Sequence, residues 1–108
     1  MVKQTMTRTR WFKFDFNEQM ANVGAEIGRT INWRNKNQSY SRMAFDRGII
    51  LLELTLQDPK NRFMMDELQS KKKLLVDWFQ GNKVDPSTDK KWEDYFYTFN
   101  YAAGLKRT

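Results

Sequence analysis

The sequence of 108 residues contains no cysteine and no histidine. Without cysteine, the chain has neither disulfide bonds nor thiolate ligands for a metal ion. Without histidine, it lacks the commonest general base and the commonest metal-binding side chain, and a catalytic Ser–His or Cys–His pair is excluded. The Glu-x-x-His motif of di-iron helical bundles is absent for the same reason. We therefore expect a protein that is not an enzyme and that binds neither a metal nor another cofactor.

Long apolar stretches are also missing. The longest uninterrupted apolar run is Ile49–Leu52, far short of the ~20 residues that a membrane-spanning helix requires. Residues 1–10 are polar and basic and contain no apolar run, unlike the start of a secretory signal. Together with the absence of cysteine, these features predict a soluble protein of the cytoplasm that has no membrane partner.

Proline occurs only twice and glycine five times, and 40% of the residues are hydrophobic. This composition favours long helices around one core, because proline and glycine interrupt helices. Apolar residues recur at helical spacing in four stretches, which together with their cap residues predict four helices. The predicted helices span residues 17–33, 39–57, 58–80 and 89–103.

Residues at the ends of these stretches are the types that favour helix caps. Asn17 and Ser39 are the predicted N-caps of the first two helices. Asp58–Pro59 reads as an N-cap followed by the first helical residue of the third helix. Gly81 suits a left-handed stop after that helix, and Gly104 is the predicted stop of the fourth. The helix boundaries are therefore expected to follow local side-chain chemistry.

Four helices of this length with short connections predict an all-α fold, arranged as an up-down-up-down four-helix bundle. Residues 7–16 differ from the rest, because Phe12, Phe14 and Phe16 alternate with polar residues at the period of a strand. A lone strand has no pairing partner, so we expect an extended aromatic and basic arm packed on the helices. The expected organisation is an N-terminal arm at 1–16 and a single four-helix domain at 17–108.

The second predicted helix is apolar on nearly every side. Met43, Ile50 and Leu54 form one stripe, and a second stripe lies roughly opposite. A helix that is apolar all round must be buried nearly all round, so the second stripe needs a cover beyond an ordinary bundle. Two covers remain open, namely the aromatic arm and a second copy of the chain. The second stripe consists of Phe45, Ile49, Leu52 and Leu56.

These features favour a small helical interaction or scaffold protein that forms a homo-oligomer through helix two. The second stripe supplies four of the candidate interface residues. The other two are Tyr97 and Tyr101, four residues apart on the fourth helix, because tyrosine is enriched at protein interfaces.

The alternative function is binding of RNA or DNA. The formal net charge is +6, and residues 1–42 contain eight basic residues against three acidic ones. Segments 3–14 and 29–42 contain no acidic residue and interleave basic with aromatic side chains, a pattern that can hold phosphates and stack bases. A positive charge also serves solubility, and both interpretations remain open. The candidate contact residues are Arg8, Arg10, Trp11, Arg29, Trp33, Arg34, Lys36, Tyr40 and Arg42.

Overall fold

The computed structural model of this chain describes residues 7–81 and 85–107, and these residues are predominantly helical. The predicted all-α class is therefore confirmed. Within the described ranges, no helix is sufficiently long and apolar to cross a membrane. The helices are α1 (Arg8–Trp11), α2 (Phe16–Trp33), α3 (Gln38–Gln57), a 3-10 helix (Pro59–Met64), α4 (Met65–Gln80) and α5 (Pro86–Arg107).

Two helices begin earlier than predicted because better caps lie upstream. Asp15, not Asn17, caps α2, and its side chain accepts a hydrogen bond from the backbone N–H of Glu18 at 2.8 Å. The Glu18 carboxylate accepts the backbone N–H of Asp15 at 3.2 Å in return, which completes a capping box. Asn37, not Ser39, caps α3 by accepting the backbone N–H three residues further along at 3.0 Å.

The helix ends follow the predicted positions only in part. Asp58 caps the 3-10 helix and Pro59 is its first residue, so one 3-10 segment precedes α4. Gly81 ends α4 in an extended conformation, with φ −67° and ψ 145°, so the predicted left-handed stop is wrong. Gly104 lies inside α5, which continues beyond it. A glycine within a helix costs only about 1 kcal/mol relative to alanine, so it does not have to end one.

Residues 7–14, which we call the N-terminal segment, contain a short helical turn where an extended arm was predicted. Thr7 caps this turn by accepting the backbone N–H of Arg10 at 3.3 Å. Trp11 ends the turn and is buried, and its indole N–H donates to the Thr55 hydroxyl of α3 at 3.0 Å. The period-two alternation therefore does not produce an extended conformation at Arg8–Trp11, where a helical turn places Trp11 against α3.

The central helix is α2, which packs against both α3 and α5. Gly24 permits the contact with α5, because a Cβ at this position would lie 2.6 Å from the Cβ of Phe96. Gly48 of α3 permits the other contact, since a Cβ at this position would lie 3.2 Å from the Cβ of Glu26 on α2. Glycine within a helix costs stability. The two glycines of α2, Gly24 and Gly28, therefore predict that a neighbouring segment of the chain approaches the helix closely at these positions. Gly24 confirms this prediction, whereas no atom lies within 4 Å of a Cβ at Gly28.

Helix α4 closes the core over α3. Leu68 and Leu75 of α4 are completely buried. Phe79 stacks on Phe45 of α3 with 4.1 Å between ring centroids. Burial of such side chains removes a large apolar area from water, which is the main favourable contribution to folding.

Gly24→Ala is expected to lower the free energy of unfolding by about 1–3 kcal/mol, because the new methyl group would overlap Phe96 and overpack the α2–α5 contact. Gly28→Ala is the matched control on the same helix. It places a methyl group in open space and should raise stability by about 0.5–1 kcal/mol. Urea denaturation measures both effects. Equal stabilisation by the two substitutions would contradict the close α2–α5 approach.

Candidate interaction surfaces

The second stripe of α3 faces the core. Phe45 and Leu52 are buried, and Ile49 and Leu56 are partly buried and pack against the core cluster. The cover comes from α4, where Phe79 stacks on Phe45. This corrects the expectation that the stripe needs a cover beyond the bundle, because the core of one chain covers Phe45 and Leu52 and packs against Ile49 and Leu56.

The opposite side of α3 faces outward. We call Tyr40, Met43, Ile50 and Leu54 the outer face of α3; their spacing places them along one side of the helix. Tyr40, Met43 and Ile50 are 50%, 51% and 44% exposed, whereas Leu54 is buried. Arg47 lies among them and pairs with a glutamate of α2 at 3.0 Å. Helical periodicity identified the stripe of Met43, Ile50 and Leu54 but not its outward orientation.

Charges of both signs surround the outer face of α3. Arg42 and Asp46, one turn apart, approach within 3.7 Å, and both side chains are exposed. Glu53 lies nearer the end of the helix and pairs with Lys72 of α4 at 3.5 Å. The charges thus alternate in sign from Arg42 through Asp46 and Arg47 to Glu53.

A buried polar network holds α1 against the end of α3. The indole N–H of Trp11 donates to the Thr55 hydroxyl at 3.0 Å. The Gln19 amide donates to the Trp11 carbonyl at 3.0 Å and to the Asp58 carboxylate at 2.9 Å. Asn61 donates to the Gln19 side-chain oxygen at 2.7 Å, and all five residues are buried. Buried polar groups bonded in this way fix one arrangement of the segments they join.

Asp58 provides a second link to the N-terminal segment. It pairs with Lys60, whose ammonium group also donates to the backbone carbonyl of Phe12 at 3.0 Å. Burial alone would raise the pKa of Asp58, but hydrogen bonds from Lys60 and Gln19 outweigh burial and hold this pKa below its ordinary value. Asp58 is therefore ionised at neutral pH and keeps the lysine in place.

Several predicted nucleic-acid contacts have structural roles instead. Trp11 is buried, so its ring does not offer a base-stacking surface. Arg34 pairs with the buried Asp89 at 2.9 Å, and its guanidinium carbon lies 4.5 Å from the ring centroid of Trp78. Arg29 pairs at 2.6 Å with the glutamate three residues before it. The expectation that Trp11 and Arg34 face a nucleic acid is corrected by these contacts.

The other predicted nucleic-acid contacts do not form one patch. Trp33 is partly buried and packs edge-to-face on Tyr40, with 5.0 Å between ring centroids. The two basic segments lie at opposite ends of α2, whose 18 residues span about 27 Å at ~1.5 Å per residue. The exposed members of the predicted nucleic-acid set are Arg8, Arg10, Arg29, Lys36, Tyr40 and Arg42.

Tyr97 and Tyr101 form an exposed pair on α5, with 6.3 Å between ring centroids. Leu105 is also exposed and continues their line by one helical turn. Tyr95 differs from this pair because its hydroxyl donates to Glu67 of α4 at 3.0 Å. Burial, with a contribution from Glu67, raises the pKa of Tyr95 well above its ordinary value. Tyr97 and Tyr101 are thus a separate surface from the outer face of α3.

Among residues 7–81 and 85–107, no group of three acidic, cysteine or histidine side chains could hold a metal ion. An open groove of about 400 Å³ lies between α3 and α4. Leu56 of the second stripe and Lys72 both line this groove, and the Lys72 ammonium group is paired with Glu53.

No family model matches this chain, and no curated protein or solved structure matches it either.

Proposed function

We propose that this protein is a small helical interaction module that self-associates through the outer face of α3. The observation that carries the proposal is the exposure of Tyr40, Met43 and Ile50 along one side of a helix whose opposite side is in the core. Burying one large apolar side chain completely contributes about 1.5–3 kcal/mol relative to full exposure. Three half-exposed side chains in line therefore favour association with another apolar surface.

The fold proposed for this module is the up-down-up-down four-helix bundle, with the N-terminal segment as an arm. It is supported by the packing of α2 against α3 and α5, and of α3 against α4. Arg34–Asp89 joins the end of α2 to the start of α5, at 2.9 Å. Asp15–Lys106 joins the start of α2 to the end of α5, at 2.7 Å. These two ion pairs favour an antiparallel arrangement of α2 and α5.

A two-fold dimer is the arrangement that best matches the charges on α3. With the symmetry axis between Asp46 and Arg47, Met43 lies opposite Ile50 of the partner subunit. The same axis sets Arg47 opposite Asp46 of the partner subunit, so opposite charges meet across the contact. Two-fold dimers are also the commonest oligomers. A second copy of the chain is therefore the partner that we propose for this face.

Ile50→Asp is expected to raise the dissociation constant of the dimer at least about 100-fold, which corresponds to about 2.7 kcal/mol. The reason is that two-fold symmetry introduces a carboxylate at each end of the contact, where it faces the apolar side chain of Met43 of the partner subunit. Sedimentation velocity over a range of protein concentrations measures the effect.

The matched control for this experiment is Leu74→Asp, since Leu74 is 48% exposed but lies on α4. It should leave the dissociation constant within about twofold of the wild-type value, which is about 0.4 kcal/mol. Circular dichroism should show the same helical content for both variants. A wild-type chain that stays monomeric at near-millimolar concentration, or equal effects of the two substitutions, would refute the proposal.

Binding of RNA or DNA remains the alternative, but fewer residues support it. Trp11 and Arg34 are engaged within the chain, and the exposed basic residues lie at separate ends of α2. Non-specific nucleic-acid binding depends on several phosphate contacts that act together. Self-association explains the exposed apolar residues on α3, and nucleic-acid binding does not.

A further inference from the structure

We infer that residues 7–14, the N-terminal segment, regulate self-association by covering one end of the outer face of α3. This inference rests on the function proposed above. Leu54 belongs to the same face as Met43 and Ile50, yet it is only 7% exposed. Helix α1 packs on α3, and Trp11 donates its indole N–H to Thr55, the residue that follows Leu54.

A few polar contacts hold the N-terminal segment in place. The Trp11 indole bonds to Thr55, the Gln19 amide bonds to the Trp11 carbonyl, and the Lys60 ammonium bonds to the Phe12 carbonyl, each at 3.0 Å. Gln19, Thr55 and Lys60 all lie outside the segment. The main core cluster contains no residue of the segment. Release of the segment therefore breaks these contacts and exposes Trp11 while the core cluster keeps its members.

Release lengthens the apolar surface available to a second copy. With the segment in place, the exposed part of the outer face ends at Ile50. Without the segment, the exposed face would extend to Leu54. In the two-fold register that pairs Met43 with Ile50 of the partner subunit, Leu54 lies beside Tyr40 of the partner subunit. The contact then gains one apolar layer at each end, at the spacing used by paired helices. The closed chain thus dimerises weakly and the open chain dimerises strongly.

The test uses Trp11→Ala in the full chain, with sedimentation velocity as the readout. We expect the dissociation constant of the dimer to fall about tenfold, a change of about 1.4 kcal/mol. Trypsin cleavage after Lys13 reports release independently, and it should be faster in the variant. The double variant Trp11→Ala/Leu54→Asp should lose the gain in affinity, because the uncovered position then carries a charge.

Thr55→Val provides a second route to release, because it removes the acceptor of the Trp11 indole and leaves every aromatic residue in place. It should shift the dissociation constant in the same direction by a smaller factor. If Trp11→Ala loses helical content, the dissociation constant of Thr55→Val tests the regulatory role instead. Faster cleavage after Lys13 with an unchanged dissociation constant would overturn the regulatory role.

Ile50→Asp separates failure of this inference from failure of the proposed function. If the wild-type chain dimerises through Ile50 but release does not tighten the dimer, only the regulatory role fails. If Ile50→Asp leaves the dissociation constant of the dimer unchanged in both the wild-type chain and the Trp11→Ala variant, the proposed function fails as well. If release tightens the dimer and Ile50→Asp abolishes it in both backgrounds, both are supported.

Discussion

Arg34→Met is expected to lower the free energy of unfolding by about 3–5 kcal/mol, the usual cost of breaking a buried ion pair by removing one partner. The guanidinium of Arg34 lies 2.9 Å from the carboxylate of Asp89, which is buried. It also stacks over Trp78, whose indole N–H donates to the same carboxylate at 2.9 Å. The substitution therefore leaves a buried carboxylate without its cation, and one hydrogen bond does not compensate for this loss.

The control for Arg34→Met is Lys36→Met, which also removes a positive charge near the connection between α2 and α3. Lys36 is exposed, and its ammonium donates to the Asn32 side chain at 3.3 Å. Its removal should change stability by no more than about 0.5 kcal/mol. Urea denaturation compares the two variants. Similar small effects would contradict the structural role of Arg34 and return it to the candidates for nucleic-acid contact.

Leu52→Ala is expected to cost about 2–5 kcal/mol of stability, the range for deleting a large buried aliphatic side chain. Leu52 is completely buried and belongs to the main core cluster. Ile50→Ala, two residues away on the outer face of α3, should cost far less because Ile50 is already half exposed. Unfolding at low protein concentration, where monomers dominate, measures the comparison.

The same pair of variants tests which side of α3 faces the core. Ile50→Ala should weaken the dimer more than it weakens the fold, and Leu52→Ala should do the reverse. A small stability loss in Leu52→Ala together with dissociation of the dimer would mean that the second stripe is the interface, as the sequence had suggested. Sedimentation velocity supplies the second half of this comparison.

Local sequence patterns were sufficient to place the first two predicted helices, which correspond to α2 and α3. The predictions of 17–33 and 39–57 match α2 and α3 to within one residue at each end. Their apolar periodicity is strong, and the connection between them is rich in polar residues. The caps were missed by two residues each, because Asp15 and Asn37 compete with Asn17 and Ser39, and helix ends are determined by detailed geometry.

The orientation of α3 was not predictable from its own residues. Both of its stripes are apolar, so periodicity alone does not tell which one faces the core. The choice depends on α4, where Phe79 stacks on Phe45 from 34 positions further along the chain. Long-range contacts also determine the roles of Trp11, which bonds to Thr55, and of Arg34, which pairs with Asp89. A single sequence contains no local signal for such pairings.

Disulfide trapping tests self-association through α3 most directly, because the chain contains no cysteine of its own. Met43→Cys and Ile50→Cys are prepared as separate chains, mixed at equal concentration and oxidised mildly. The proposed two-fold register brings these two positions together, so the mixture should form a disulfide-linked dimer, whereas each chain alone should form much less. No linked dimer in the mixture, or equal linking in each chain alone, would contradict the proposed interface.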